Sequence, residues 1–185
     1  MNNFTLNNPL SNKGISFIKI LKMKKSVFTL LGIFMVFSAL AQSDTSLPYV
    51  KNPTIPAFNI IKLPDSTGFT NNDLQKKKPL ILFFFNPDCE HCQDATKNMK
   101  AKIDRLKGAQ IVMISMLDYK IVEKFYTTYE IAEYPTITMA WASTGFFLSF
   151  YKIHSIPAIY VYDKKGNFIK NFKGSMPVEE IADLL

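Results

Sequence analysis

Arginine, histidine and cysteine are scarce in this chain of 185 residues, and each scarcity closes off a class of function. Arg105 is the only arginine. Bidentate recognition of phosphates and bases rests on the arginine fork, so having a single arginine argues against a nucleic-acid partner. The net charge of +7 points the other way until it is divided along the chain. Acidic residues are missing before position 42, where Lys13, Lys19, Lys22, Lys24 and Lys25 lie. The rest carries 17 basic and 15 acidic side chains, a surplus of only 2. Two cysteines are too few for a disulfide-dense scaffold. What is plentiful is apolar: 48% of the residues, against 20% charged. That composition fills a core and is not that of a disordered chain; the length suits one domain with extensions.

Residues 26–40 (SVFTLLGIFMVFSAL) form an uncharged, mostly apolar run directly after three lysines. Ala39-Leu40-Ala41 then supplies a small–x–small step, and the chain turns polar at Gln42. A basic start, an apolar stretch and this cleavage pattern predict a secretory signal peptide over residues 1–41, cut after Ala41. Met23 is an alternative start. The competing reading is an uncleaved anchor formed by residues 26–40. Fifteen residues at helical rise reach about 22 Å, short of the roughly 30 Å hydrocarbon core, which favours the signal. A periplasmic or secreted location follows, with membrane contact only if the leader stays attached. Disulfides are permitted there.

Residues 42–56 contain Pro48, Pro53 and Pro56 and read as an extended arm, leaving residues 57–185 as the domain. Phe58–Leu63 is a strand candidate, and Pro64–Gly68 a turn. Thr70 is placed to cap a short helix containing Leu74. Leu80–Phe85 is apolar without alternation, the mark of a strand buried on both faces. Asn86-Pro87-Asp88 breaks it, and a helix is predicted from Cys89 to about Leu106. Ile111–Met116 is a second buried strand, and Val122–Ile131 a helix with one apolar face. Tyr134–Met139 is extended, and residues 143–152 allow another helix. Phe146, Phe147, Phe150 and Tyr151 within it suit a buried helix face or the rim of a partner groove. Ala158–Tyr162 and Asn167–Phe172 flank the turn Asp163–Gly166 as a hairpin. Pro177 fits the first turn of a last helix. Strands alternating with helices and closing in a hairpin predict an α/β fold with a central mixed sheet flanked by helices.

The strongest chemical feature is Cys89-Glu90-His91-Cys92, placed where a buried strand gives way to a helix. A helix N-terminus presents unpaired N–H groups and partial positive charge, both of which stabilise a thiolate. Cys89 at the helix start is the expected nucleophile. Cys92, one turn further in, is the expected resolving thiol. A charged His91 favours the thiolate and Glu90 opposes it, so the two tuning candidates have opposite signs; Asp88 is a third. As a structural staple the pair closes too small a loop to matter: roughly 2 kcal/mol, against roughly 3 for a 15-residue loop. As a metal site it adds His154 to reach four ligands, but three of those share one tight turn and no second Cys-x-x-Cys exists. No metal and no organic cofactor is therefore expected, since the chemistry is exchange between sulfurs.

With this motif at a strand–helix junction, and with Ser155-Ile156-Pro157 preceding the strand Ala158–Tyr162, the chain resembles the thioredoxin superfamily. The likeness spans roughly residues 54–185. Ile55–Phe58, Gly68 and Lys76–Pro79 look like the N-terminal hairpin of its TlpA/ResA-like, peroxiredoxin-related branch, and the extra segment 117–152 suits that branch as an insert. The resemblance implies a thioredoxin-like fold and a cis proline at Pro157 facing the cysteine pair. Ile156 and Pro157 would shape the groove and leave backbone groups free for a substrate strand. Members are thiol–disulfide oxidoreductases, secreted or tethered. This chain departs from the pattern where the family has a Trp before the first cysteine (here Asp88). Its buried acids are replaced by Phe83 and Ala95, and Asp94 is rotated about 100° from the latter position.

The function expected is an extracytoplasmic thiol–disulfide oxidoreductase acting on protein cysteines, running as a reductase with a separate electron donor. Three alternatives stand beside it: an oxidising disulfide donor with an electron acceptor, a thiol peroxidase, and a copper-binding metallochaperone. A peroxidatic cysteine is framed by an upstream Pro and Thr; Pro87 is present, but residues 86–88 contain no Thr. A metallochaperone calls for a Cys-x-x-x-Cys spacing, longer than the one found.

Overall fold

A computed structural model describes residues 47–143 and 145–185; the predicted leader, its cleavage point and Met23 lie outside the described residues. Five apolar side chains in succession make β3 (Leu80–Phe84), and all five are buried. Such a strand is stable only inside a sheet covered on both sides. Its neighbours are β4 (Gln110–Ser115), parallel to it, and β6 (Ala158–Tyr162), antiparallel. β5 (Ile137–Trp141) runs parallel to β4, and β7 (Phe168–Lys173) closes the hairpin with β6. On the far edge lie β1 (Asn59–Lys62) and β2 (Gly68–Thr70), the expected N-terminal hairpin. The result is a mixed seven-stranded sheet in the order β2-β1-β5-β4-β3-β6-β7.

Alternation along the strands divides the core into two layers. Ile81, Phe83, Phe85, Met113 and Val161 face α2 (Glu90–Ala101), α3 (Tyr119–Thr128) and α5 (Val178–Ala182). Leu80, Leu82, Phe84, Tyr160 and Tyr162 face α1 (Pro48–Lys51) and α4 (Phe146–Tyr151). The segment 117–152 supplies α3, β5 and α4, so it adds a strand inside the sheet and a helix on each face.

Several local expectations shift. Residues 48–51 of the expected extended arm are helical, and Tyr49 is buried with its ring 5.1 Å from that of Tyr160. Burial of one aromatic side chain is what holds so short a helix. Thr70 does cap, through a reciprocal pair with Asp73, but the helical turn is only Asn71–Asp73 and Leu74 lies beyond it. α2 stops at Ala101, because Lys102 leaves helical geometry (ψ 23°), and a tighter turn, Ile103–Leu106, carries Leu106 into the core. α3 begins three residues before the expected Val122: the Asp118 carboxylate accepts the Lys120 N–H at 2.9 Å, a cap that the apolar periodicity does not reveal. Pro177 precedes α5 as its cap instead of entering its first turn. On α4, Phe147 and Tyr151 are buried, whereas Phe146 and Leu148 are exposed. Among the described residues no helix is long and apolar enough to cross a membrane.

Candidate active site

β3 ends at Phe84, and the chain must turn sharply to start α2 above the sheet. Asn86 makes the turn: its side-chain oxygen accepts the Asp88 N–H at 2.8 Å, and its carbonyl accepts the Cys89 N–H at 3.1 Å. The Gln93 amide reaches back to the Pro87 carbonyl at 2.9 Å and ties the loop to the helix. Cys89 occupies the cap position of α2, with φ −92° and ψ 117°, and its carbonyl accepts the N–H groups of Cys92 and Gln93 at 3.0 Å each. Its side chain makes no capping hydrogen bond and is half-buried.

Cys92 is one helical turn on and fully buried. Both cysteines are free thiols. Loss of water pushes the Cys92 thiol up to about 12; the adjacent Cys89 adds to the shift, while the Asn86 N–H, 3.5 Å from the sulfur, opposes it. The two sulfurs therefore differ sharply: one reaches solvent, and the other stays protonated far above neutral pH. Around Cys92 lie Phe83, Ala95 and Met99 of the same apolar layer. Asp94 points away, exposed and paired with Lys97 at 3.1 Å, so no carboxylate takes the vacated acid position. Asp88, Glu90 and His91 are all exposed.

The second component arrives from β6. Ala158 pairs with Phe84, so the residues before it run past the end of β3 alongside the Phe85–Asn86 segment that leads to the cysteines. The Ile156–Pro157 peptide bond is cis. Pro157 is buried, and its carbonyl accepts the Gly174 N–H at 2.8 Å. Ile156 is half-buried and packs on the same apolar layer as Cys89. Among the described residues neither the N–H nor the carbonyl of Ile156 meets a backbone partner.

Two shallow clefts flank the first turn of α2. One, of about 250 Å³, lies between His91, Asp94, Asn98 and the 174–176 loop. The other, of about 340 Å³, lies between Pro87, Asp88, Gln93, the α3 residues Ile121 and Phe125, and Tyr129 just after that helix. His154 is exposed, and among the described residues no group of three or more His, Cys, Asp or Glu side chains is arranged to hold a metal. The residue that sequence reasoning passed over is Asn86. Its place as the first residue of an Asn-Pro-Asp turn signals an Asx turn, but nothing in the sequence says that its N–H will meet a sulfur six positions later.

The match to known proteins is consistent with this geometry. The family pattern that fits is the thioredoxin-like domain, over residues 71–185. No curated protein matches the sequence. Among solved structures, StoA from Bacillus subtilis superposes with a TM-score of 0.56 at 20% identity, covering 71% of this chain and 98% of that one. A secreted Mycobacterium tuberculosis disulfide oxidoreductase gives 0.55 at 21% identity, covering 68% and 92%. Copper-bound ScoI from Arabidopsis thaliana gives 0.55 at 19%, covering 69% and 92%. At such identities the likeness is one of fold, whereas the family pattern covers more than half of the chain. On that match, and with paired thiols at the strand–helix junction, the chain is an oxidoreductase of the thioredoxin-like domain family.

Proposed function

We propose that this protein works outside the cytoplasm as a reductase of disulfides in partner proteins, with Cys89 as nucleophile and Cys92 as resolving thiol. The observation that carries the reading is the contrast between a half-buried Cys89 at a helix cap and a fully buried Cys92 one turn away. The thiolate of Cys89 attacks one sulfur of the substrate disulfide, forming a mixed disulfide and releasing the other sulfur as a thiolate. The Cys92 thiol then attacks Cys89 Sγ and expels the second substrate sulfur. Its proton passes to the departing thiolate or to water. One substrate disulfide becomes two thiols while Cys89 and Cys92 become a disulfide, which an external dithiol donor must reduce.

The unpartnered N–H and carbonyl of Ile156 support a role in pairing with an extended substrate segment laid over Cys89. The reducing direction is supported by Cys92. No cation stands among the groups that shift its thiol, and the Asn86 N–H is the one contact that favours a negative sulfur. On the Cys92 side the reduced form thus gains little from charge stabilisation, which favours giving up electrons. The extracytoplasmic location rests on the basic and apolar leader, with support from the secreted mycobacterial neighbour.

The test is the equilibrium potential of the Cys89/Cys92 couple, measured against glutathione or dithiothreitol. Each ~30 mV is a factor of ten for a two-electron couple. A value more negative than about −200 mV is expected; one near −120 mV, typical of a strong disulfide donor, would reverse the assigned direction.

A further inference from the structure

A different pole of the domain carries an unassigned cluster of charge. The lysines at positions 76–78, in the turn before β3, and Lys164 and Lys165, in the turn between β6 and β7, line one cleft of about 330 Å³. Since Cys89 follows the C-terminal end of β3 and these lysines precede its start, the cleft and the thiols lie at opposite ends of the same strand. Among the described residues none of the five lysines has an ion-pair partner, whereas Lys62, Lys97, Lys100, Lys102, Arg105, Lys107 and Lys170 each have a carboxylate partner.

The acids nearest in sequence are already engaged. Asp73 accepts the N–H and hydroxyl of Thr70, and Asp163 accepts the N–H groups of Lys165 and Asn167. Among the described residues no carboxylate lines the cleft.

Both turns are held in shape. Gln110, only 8% exposed, accepts the Gln75 N–H at 2.8 Å and donates to the carbonyls of Gln75 and Lys78 at 3.0 and 3.3 Å. The turn it braces places Lys77 in left-handed geometry, φ 60°. Opposite, Gly166 at φ 83° donates to the Asp163 carbonyl and accepts the Ile55 N–H at 3.1 Å. Five like charges gathered on two braced turns repel one another; the Asp163 carboxylate beside Lys165 offsets part of that charge, and the lysines still outnumber it.

We propose that this cleft is a binding site for a phosphate-bearing anion of two or more negative charges. Lysine ammonium groups act on phosphate as point charges and impose no planar fork, so several of them can converge on one compact polyanion. The concave shape, closed on two sides by rigid turns, suits such a group better than an extended acidic chain. The phosphates belong either to a free pyrophosphate-type anion or to the headgroups of an anionic bilayer.

The test uses full-length protein in a non-ionic detergent, titrated with inorganic pyrophosphate at constant ionic strength while backbone amide resonances are followed. Saturable shifts are expected at Lys76–Lys78 and Lys164–Gly166, with none at Cys89–Cys92. The paired substitution Lys77→Gln and Lys165→Gln should weaken binding about tenfold or more. It should leave disulfide reduction unchanged and should not lower the ligand-free melting temperature, which separates this site from the redox reading. A second arm compares flotation with phosphatidylcholine vesicles and with vesicles containing phosphatidylglycerol; the five leader lysines also favour the anionic vesicles, so the readout is the difference between wild type and the paired variant, which share that leader. A lysine-dependent preference for the anionic vesicles, without pyrophosphate binding, assigns the phosphate to lipid. Pyrophosphate shifts that survive the paired substitution, or no lysine-dependent response in either arm, would overturn the proposal.

Discussion

The two faces of the sheet are equally dry and bury different chemistry. On the face under α1 and α4, Tyr151, Tyr160 and Tyr162 are fully buried. Their hydroxyls are all paired: Tyr151 and Tyr162 share a hydrogen bond of 2.7 Å, and Tyr160 donates to the Tyr151 backbone carbonyl at 2.9 Å. On the face under α2, α3 and α5, the buried polar atom at the site is the Cys92 sulfur, with one long contact from the Asn86 N–H. Burial acts on both in the same direction, pushing Tyr162 and Cys92 each up to about 12. The difference is the neighbour. A tyrosine beside another buried tyrosine is a stable network. A buried thiol one turn from a half-exposed thiol is a reagent held back until its partner has reacted.

The comparison breaks first at the cysteines. Cys89→Ser should reduce disulfide-reductase turnover to background, a loss of about a thousandfold or more, read by insulin reduction. Cys92→Ser should still attack and accumulate mixed disulfides, seen as adducts that dithiothreitol releases. Equal residual turnover in both variants would contradict the division of labour.

The next effect is on stability against pH. The folded state holds the Cys92 proton from the thiol's ordinary value near 9 up to about 12, while the unfolded state releases it. The unfolded chain therefore binds fewer protons in this window, and the reduced protein loses stability as pH rises through it. The slope approaches about 1.4 kcal/mol per pH unit for one proton. The buried tyrosines contribute in the same direction, so the measurement is the difference between wild type and Cys92→Ala in urea unfolding at pH 8 to 11. Parallel curves would mean that Cys92 titrates normally in the folded protein.

The smallest effect belongs to the other face. Tyr162→Phe removes the partner of the buried Tyr151 hydroxyl and should cost about 1–3 kcal/mol of unfolding free energy. It should leave the rate of Cys89 alkylation by iodoacetamide unchanged. A changed alkylation rate would show that the two layers communicate through the sheet.

Much of this was legible in the residues. Leu80–Phe85 announced a central strand because six apolar residues in a row have no exposed edge to spare. Asp163-Lys164-Lys165-Gly166 announced the hairpin through its turn chemistry, and Cys89-Glu90-His91-Cys92 stood out by its place after a buried strand. α1 was hidden, because four residues containing a proline show no period, and they are held by the Tyr49 ring packed against Tyr151, Tyr160 and Phe168. The start of α3 was hidden for a related reason: Asp118 reads as a turn residue until a helix follows it.

Strand, turn and helix signals are local, since hydrophobic period and backbone sterics act within a few positions, and so the order of elements and the thiol motif could be read along the chain. Exposure is a property of what packs from a distance. That Cys92 is buried in one apolar layer with Phe83 and Met99 was settled by the packing of α2 on the sheet; that Ile156 runs beside the cysteine loop, and that the lysine turns at 76–78 and 164–165 share one cleft, were settled by the pairing of β6 with β3. Long-range contacts of that kind leave no imprint on the spacing of neighbouring residues, because each side of the contact satisfies its own local rules whether or not the other is there.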